Sequence, residues 1–272
     1  MAPKKVLITG VSGLIGSSVY MRLAAEPDRY EVFGFSRRKV PSVRVPEGRD
    51  IQIPDDHFRL GEVQDMDAVR AAVAGMDAVV HMAATWDSFE DILPHNLVGA
   101  YNLFEASKEA GVKRIVAAST IQVSVGQHHS EPYRSIAARA YDDVPADFAK
   151  VTVAEPAEPR NLYAASKVWA ESLARVYAHT TELSCLCIRI GWVVAEDRPP
   201  HKNAVDIWCS QRDIAQLTER CIAADDELRF GIFYGMSNNR WNWVDLEDAR
   251  DKVGYVPEDS AEDFDIDQLD EP

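Results

Sequence analysis

Long apolar segments are absent from this chain of 272 residues. No run approaches the roughly 18 consecutive apolar residues of a membrane-spanning helix, so we expect no membrane partner. The first five residues lead directly into a strand-like apolar segment, without the apolar core and small-residue cleavage site of a secretory signal. We therefore expect a cytoplasmic protein. The length of the chain is sufficient for one large hydrophobic core.

Basic residues are scarce relative to acidic ones. The chain has 29 Lys and Arg against 44 Asp and Glu, a formal net charge of −15. Such a chain repels the phosphate backbone of nucleic acid and anionic membrane surfaces, which excludes both as expected partners. Eight of the last sixteen residues, 257–272, are acidic and none is basic, so we expect a solvated, partly ordered tail.

Cysteine is also rare, with four residues in the chain. None has the Cys-x-x-Cys spacing of a metal site, and four such residues do not predict a disulfide framework. Cys185 and Cys187 alternate on a strand-like apolar segment, while Cys209 and Cys221 fall in helix-like segments. We expect thiols packed in the core and no bound metal.

Apolar strand-like runs alternate with helical patterns through most of the chain. Six segments are strand-like, namely residues 6–9, 31–35, 58–60, 77–82, 112–118 and 184–190, and a helical pattern over 14–25 follows the first of them. Strands that are apolar on both faces are typical of a parallel sheet covered by helices. The sequence therefore predicts an α/β fold, a Rossmann-type doubly wound parallel sheet with a small C-terminal substrate-binding part.

Two polar excursions interrupt this alternation, after the predicted fifth and sixth strands. Ligands bind beyond the carboxyl ends of strands in such sheets, so both excursions are expected near the site. We divide the chain into a dinucleotide-binding core over 1–191, a small substrate-binding part over 192–256 and the acidic tail over 257–272. Within the core, residues 121–160 are too long for an ordinary connection and are predicted to form a lid.

A glycine-rich turn of the form G-x-x-G-x-x-G directly follows the first predicted strand. Glycine permits the tight turn and the close approach of a pyrophosphate, and the free N–H groups of the next helix attract the anion. The alternative is a tight strand-to-helix turn without a ligand. We predict a dinucleotide-binding loop whose contacts are Gly10, Ser12, Gly13, Leu14, Ile15 and Gly16.

The end of the second predicted strand bears on the choice between NAD and NADP. An acidic residue there binds the ribose diol of NAD, whereas arginine accommodates the 2′-phosphate of NADP. The chain has Ser36, Arg37 and Arg38 at this position and no acidic residue before Glu47. We therefore favour NADP over NAD, the other explanation being a basic surface turn.

Tyr163 and Lys167 are four residues apart on a predicted helix, a spacing that places both on one face. A phenol with an ordinary pKa near 10 is a poor base at neutral pH. A neighbouring ammonium, together with the positive nicotinamide ring of an oxidised cofactor, is expected to lower that pKa. Ser119 and Thr120 end the predicted fifth strand and offer a hydroxyl to a substrate oxygen. The sequence does not decide between these two hydroxyls, and the Tyr-Lys spacing also occurs by chance on surface helices.

Taken in order, these motifs resemble the extended short-chain dehydrogenase/reductase family, also called the NAD-dependent epimerase/dehydratase family. The resemblance implies that Tyr163 is the catalytic acid/base, Lys167 its electrostatic partner and Thr120 or Ser119 the hydroxyl donor. The segments that carry it are Gly10–Gly16, His81–Ala84, Asn96–Asn102, Ala118–Thr120, Tyr163–Lys167 and Arg189–Gly191.

The resemblance also implies further contacts with the cofactor. Position 62 carries Glu62 where the family usually has Asp, which is a mild departure. Beyond the glycine-rich turn and the end of the second strand, the implied contacts are Glu62, Val63, Met82, Ala83, Ala84, Asn96, Lys167 and Ile190.

Within the family, the chain is most similar to the uronate and sugar dehydrogenase branch. That similarity implies oxidation of an anomeric hydroxyl to a lactone, with hydride transfer to the nicotinamide. Two departures are Ser36-Arg37 in place of an acidic residue and Thr120-Ile121-Gln122 in place of Ser-Asn-His. The similarity rests on Leu162–Lys167, Glu171, Arg189–Gly191, Ile207–Ser210 and Trp241–Trp243.

A sugar-like small molecule is the expected substrate, and a homodimer is the expected oligomer because helix pairs commonly pack between subunits in this family. An anionic substrate group would require Arg134, Arg198 or Lys202. The alternatives are a nucleotide-sugar epimerase or dehydratase, an NADPH-dependent carbonyl reductase and a non-catalytic dinucleotide-binding sensor. The candidate substrate contacts are Thr85, Gln122, His128, Arg134, Lys202 and Asn203.

Overall fold

Seven parallel strands form one sheet in the computed structural model, which describes residues 2–49 and 51–270. The strands are β1 (Lys4–Thr9), β2 (Tyr30–Ser36), β3 (Phe58–Leu60), β4 (Ala78–His81), β5 (Arg114–Thr120), β6 (Ser184–Ile190) and β7 (Phe230–Gly235). Their order across the sheet is β3-β2-β1-β4-β5-β6-β7. The chain reverses its direction of winding between β1 and β4, which is where such sheets bind ligands.

Eight helices cover the described part of the sheet and its loops. They are α1 (Leu14–Ala24), α2 (Met66–Val73), α3 (Phe89–Ile92), α4 (Gly99–Glu109), α5 (Tyr133–Ala137), α6 (Leu162–Thr180), α7 (Gln211–Ala223) and α8 (Glu247–Val253). A π-helical turn, Leu93–Val98, joins α3 to α4. Side chains that cap the helix ends explain several boundaries: Asn161 accepts a hydrogen bond from the N–H of Ala164, and Ser210 from that of Asp213.

Two apolar layers hold the helices against the sheet. On one face, α1 and α7 pack through residues such as Val19 and Ile214. On the other face, α2, α4 and α6 pack through residues such as Val69, Leu103 and Leu173. The strands β5 and β6 are buried along their whole length, as their near-continuous apolar sequences predict. The predicted α/β class and doubly wound parallel sheet are confirmed.

The first polar excursion packs onto the C-terminal part of the chain. Ile121, Ile136 and Val151 share one apolar cluster with Tyr234 and Trp243. The N–H of Val151 donates to the carbonyl of Trp243, and these segments form a short parallel bridge. Residues 121–160 are therefore anchored by their own small core.

The acidic tail differs from the solvated terminus expected from its composition. Ala261 and Leu269 are buried against Val205 and Trp208, because apolar residues are interspersed among the acidic ones. The carboxylate of Asp259 accepts hydrogen bonds from Ser210 and Arg212. The last two residues of the predicted tail lie outside the described part of the chain.

All four cysteines are buried free thiols, as expected for core residues. Cys209 precedes the start of α7 and lies in a loop, so its predicted helical position is wrong, while Cys221 lies within α7. Burial raises the pKa of Cys185 to about 12.

Among the described residues, no helix is long and apolar enough to cross a membrane, and no group of three or more His, Cys, Asp or Glu is arranged to hold a metal.

Candidate active site

A cleft of about 1390 Å³ opens at the carboxyl edge of the sheet. The turn from β1 to α1, the ends of β2, β4 and β5, and the start of α6 line it. Its position matches the reversal in strand order between β1 and β4. Typical small-molecule pockets measure roughly 300–1,000 Å³, so this cleft has room for a dinucleotide and a small substrate together.

At the glycine-rich turn, the backbone packs tightly against the backbone after β4 and against itself. Gly10 has a φ of +67°, and a Cβ at this position would lie 2.8 Å from the backbone nitrogen of Ala83. A Cβ at Gly16 would lie 2.3 Å from the carbonyl oxygen of Gly10. No side chain caps the start of α1 at Gly13, and its first turn contains no acidic residue. The free N–H groups of α1 therefore suit an anion such as a pyrophosphate.

The loop after β2 lies against the glycine-rich turn. The hydroxyl of Ser12 donates to the carbonyl of Arg38 at 2.7 Å, and the N–H of Ser42 donates to the carbonyl of Ser12 at 2.8 Å. Arg37 and Arg38 line the cleft with exposed side chains. Neither guanidinium forms an ion pair with a carboxylate of the described residues. Both positive charges therefore face the cleft without a carboxylate partner among the described residues.

Thr120, Tyr163 and Lys167 line the opposite end of the cleft. The ammonium of Lys167 donates to the carbonyl of Ala118 at 2.9 Å and lies 5.6 Å from the centre of the Tyr163 ring. The hydroxyl of Thr120 accepts a hydrogen bond from the N–H of Gln122 at 3.3 Å, which leaves its own proton available to donate. This geometry is typical of a site that moves a proton to or from a substrate oxygen.

Ser119 and Thr120, which the sequence leaves as equal candidates, differ in their surroundings. The hydroxyl of Ser119 donates to the buried carboxylate of Glu171 at 2.6 Å. Its proton is therefore engaged within the protein, and the geometry favours Thr120 as the hydroxyl that meets the substrate.

Burial shifts the proton affinities of both titratable groups toward their neutral forms. It raises the pKa of Tyr163 to about 12, against the opposing influence of the Arg44 guanidinium, and lowers the pKa of Lys167 to about 8. Desolvation of the phenol thus outweighs the nearby positive charge of the protein, so the protein alone does not bring the pKa of Tyr163 below its ordinary value. The combined effect of Lys167 and the nicotinamide ring stays a prediction.

A buried ion pair lies behind this site. Arg189 on β6 contacts both carboxylate oxygens of Glu171, at 2.9 and 3.0 Å, and Glu171 lies one helical turn beyond Lys167. The same guanidinium donates to the hydroxyls of Ser124 and Tyr234 at 3.1 and 3.0 Å. The pair therefore connects α6 and β6 to the lid and to β7. Both residues occur in the family-like segments of the sequence, but the sequence alone does not reveal their pairing.

Two residues that the sequence analysis did not select line the cleft beside Tyr163. The guanidinium carbon of Arg44 lies 4.1 Å above the centre of the Trp86 ring. Trp86 in turn meets the ring of Tyr163 edge-on, at 6.5 Å between centroids. The tryptophan a few residues after the end of β4 is a signal in the sequence that could have drawn attention to this contact.

The structure brings most of the predicted residues to the cleft. Asn96 lies behind its wall, where its amide donates to the carbonyl of Thr85 at 2.7 Å and to the hydroxyl of Ser166 at 2.9 Å, so it holds the wall in place. The predicted residues that line the cleft are Gly10, Ser12, Gly13, Leu14, Ile15, Gly16, Ser36, Arg37, Arg38, Glu62, Val63, Met82, Ala83, Ala84, Thr85, Ser119, Thr120, Gln122, Tyr163, Lys167 and Ile190.

Four predicted substrate contacts lie outside the lining of the cleft. His128 is enclosed in the lid, with its ring 4.7 Å from that of Trp243. Arg134 donates to Glu131 at 2.7 Å. Lys202 and Asn203 lie in a short 3-10 turn beyond β6. The sequence-based placement fails for different reasons: His128 packs against Trp243, Arg134 pairs with Glu131 at the surface, and the turn at 202–204 lies away from the cleft.

Comparison with known proteins agrees with this geometry. A family model described as NAD dependent epimerase/dehydratase family matches residues 6–261. A NAD-dependent glucose-6-phosphate dehydrogenase of Haloferax volcanii is 29% identical over 95% of both chains. An L-arabinose 1-dehydrogenase (NAD(P)(+)) of the same organism is 29% identical over 94% of this chain and 97% of its own. The crystal structure of uronate dehydrogenase from Agrobacterium tumefaciens superimposes with a TM-score of 0.79 at 28% identity, covering 100% of this chain and 91% of that one.

We expect Glu171→Ala to lower the free energy of unfolding by about 3–5 kcal/mol, because it leaves the Arg189 guanidinium buried without its counter-charge. Glu182→Ala is the matched control, since that carboxylate is 97% exposed and pairs with Arg229 only at the surface. The control should change stability by no more than about 1 kcal/mol. Urea denaturation measures both, and equal effects of the two substitutions would contradict a structural role for the buried pair.

Proposed function

The chain belongs to the NAD-dependent epimerase/dehydratase family, and we propose that it is a dehydrogenase that oxidises the anomeric hydroxyl of a sugar to a lactone. The observation that carries this proposal is the convergence of Thr120, Tyr163 and Lys167 at one end of a dinucleotide-sized cleft. Relatives of nearly the same length, named as dehydrogenases of glucose 6-phosphate, L-arabinose and uronate, support a sugar substrate.

The residues of the cleft fit an NAD(P) dinucleotide. Backbone at Gly10 and Gly16 leaves no room for side chains, and the uncapped start of α1 faces the position of a pyrophosphate. When bound, the dinucleotide supplies the hydride acceptor. Lys167, held by the carbonyl of Ala118, has further N–H donors for the ribose of such a cofactor.

In the proposed oxidation, Tyr163 accepts the proton of the sugar hydroxyl. Thr120 donates a hydrogen bond to the same sugar oxygen and orients it toward the phenol. Because burial raises the pKa of Tyr163 to about 12, the phenolate needs positive charge to form, and Lys167 lies close enough to provide part of it. Low pH therefore protonates the base and slows oxidation.

Incubation of the protein with NAD or NADP and a panel of aldoses, uronic acids and sugar phosphates tests this proposal. We expect net formation of reduced nicotinamide with at least one sugar, followed by absorbance, and an aldonic acid after the lactone hydrolyses. Stereochemical inversion of a sugar without net reduction would instead indicate an epimerase. Dinucleotide binding without turnover of any sugar would indicate a sensor.

Tyr163→Phe should lower turnover by on the order of 10²- to 10⁴-fold, because it removes the proton acceptor. Dinucleotide affinity should stay within about threefold, because the backbone of the glycine-rich turn provides the pyrophosphate contacts. Steady-state kinetics and quenching of protein fluorescence by the dinucleotide measure the two effects. Near-normal turnover of this variant would remove Tyr163 from the mechanism.

We propose NADP as the preferred dinucleotide. The support is the pair of unpaired guanidinium groups on Arg37 and Arg38 and the lack of an acidic residue at the end of β2. The names of the relatives include both an NAD-dependent and an NAD(P)-dependent enzyme and do not themselves favour NADP.

Arg37→Ala should weaken NADP binding about tenfold or more and change NAD binding by less than about threefold, because only NADP carries the 2′-phosphate. Lys39→Ala is the matched control: it removes a neighbouring cation that pairs with Asp55 and does not line the cleft. Titration calorimetry gives the four affinities. Equal losses for NAD and NADP would refute the assignment.

A second candidate function, NADPH-dependent reduction of a carbonyl, is favoured by one observation. A phenol whose pKa is about 12 is protonated at neutral pH and is therefore suited to give a proton to a developing alkoxide. The residues and their contacts are the same in both directions. The equilibrium of the reaction and the supply of cofactor then decide which direction predominates.

We further propose a homodimer formed through α4 and α6. Tyr101, Trp169 and Val176 on these neighbouring helices are 44%, 41% and 54% exposed, an apolar surface that pairing with a second copy would cover.

A further inference from the structure

The loop that follows β2 carries a third arginine to the mouth of the cleft, on the side of Tyr163. This loop is fixed at its start by the hydrogen bond from Ser42 to Ser12. Two residues later, Arg44 places its guanidinium 4.1 Å above the ring of Trp86, which is half exposed. Because Trp86 also contacts Tyr163, Arg44 lies at the reacting end of the cleft.

Among residues 2–49 and 51–270, no carboxylate lies within ion-pair distance of the Arg44 guanidinium. The two acidic residues that line the cleft have other partners: Glu62 lies 3.4 Å from His95, and Asp87 accepts a hydrogen bond from Thr85.

The contact with Trp86 holds this guanidinium in place. A guanidinium carbon 4.1 Å above the centre of an indole ring is attracted by a cation–π interaction, and the group carries five N–H donors in a planar fork. Those donors suit the two oxygens of a carboxylate or phosphate. In a chain of net charge −15, three arginines of one cleft that have no ion-pair partner in residues 2–49 and 51–270 form a local positive region.

We propose that Arg44, supported by Trp86, binds an anionic group of the substrate, a phosphate or a carboxylate carried by the sugar. The inference rests on the proposed sugar dehydrogenase function and specifies its substrate class. The dinucleotide has other contacts for its phosphates, namely the start of α1, Arg37 and Arg38. The residues that sequence reasoning suggests for an anionic substrate group, Arg134, Arg198 and Lys202, do not line the cleft.

Kinetics with matched anionic and neutral sugars test this role. Glucose 6-phosphate and glucuronate carry the anion, and glucose lacks it. Arg44→Gln should lower kcat/KM for the preferred anionic sugar by about 10- to 100-fold, mainly through KM, and change that for glucose by less than about threefold. Arg44→Lys should recover part of the loss. Which of the two anionic sugars wild-type protein prefers identifies phosphate or carboxylate as the recognised group.

Arg250→Gln is the matched control for net charge, because this exposed arginine on α8 pairs with Glu247 and lies outside the cleft. It should leave all three sugars unaffected. Fluorescence titration with NADPH completes the set, and Arg44→Gln should leave that affinity within about threefold. A tenfold loss of NADPH affinity, or equal losses for glucose and the anionic sugars, would overturn the proposal by assigning Arg44 to the dinucleotide or to the fold.

The failure of the proposed function is distinguishable from the failure of this inference. If wild-type protein oxidises glucose as well as it oxidises glucose 6-phosphate and glucuronate, the function stands and the anion site is refuted. If it oxidises no sugar, calorimetry of the NADPH-loaded protein with glucose 6-phosphate, with glucuronate and with inorganic phosphate decides. Binding by wild type that is lost in Arg44→Gln would support the anion site, and no binding by wild type would refute it.

Discussion

The burial of Tyr163 and Lys167 beside one another is the constraint on which the rest of the site depends. Desolvation raises the pKa of the phenol to about 12 and lowers that of the ammonium to about 8, so both groups are driven toward their neutral forms. A proton acceptor in such surroundings requires positive charge close by. Lys167, fixed on the carbonyl of Ala118, provides part of it from within the chain.

Positive charge in the cleft contrasts with the acidity of the whole chain. Arg37, Arg38 and Arg44 all belong to the loop that follows β2, and none pairs with a carboxylate of the described residues. One loop thus supplies the groups that we assign to the 2′-phosphate of the cofactor and to an anion on the substrate. In the buried pair, Glu171 and Arg189 neutralise each other's charge. The pair therefore adds no net charge beside the three arginines of this loop.

The sequence predicts the sheet and the glycine-rich turn well because short stretches of sequence carry the pattern of each. Apolar runs specify buried parallel strands, and Gly10 needs a positive φ and close contact with Ala83 that only glycine allows. Long-range packing decides the features that the sequence misses. The difference between the surroundings of Ser119 and Thr120 depends on Glu171, which is 52 residues from Ser119. His128 is enclosed in the lid by Trp243, and the role of Arg44 depends on the path of a loop.

The pH dependence of hydride transfer in a single turnover tests the central claim most directly, with wild type and Lys167→Met compared at saturating dinucleotide. The account predicts an oxidation rate that rises with pH with a slope of about one on logarithmic axes, since the phenolate is the base. It also predicts that Lys167→Met moves this rise to higher pH, because the phenolate loses its ammonium neighbour. A rate that is independent of pH between about 6 and 10, or a profile that Lys167→Met leaves in place, would contradict it.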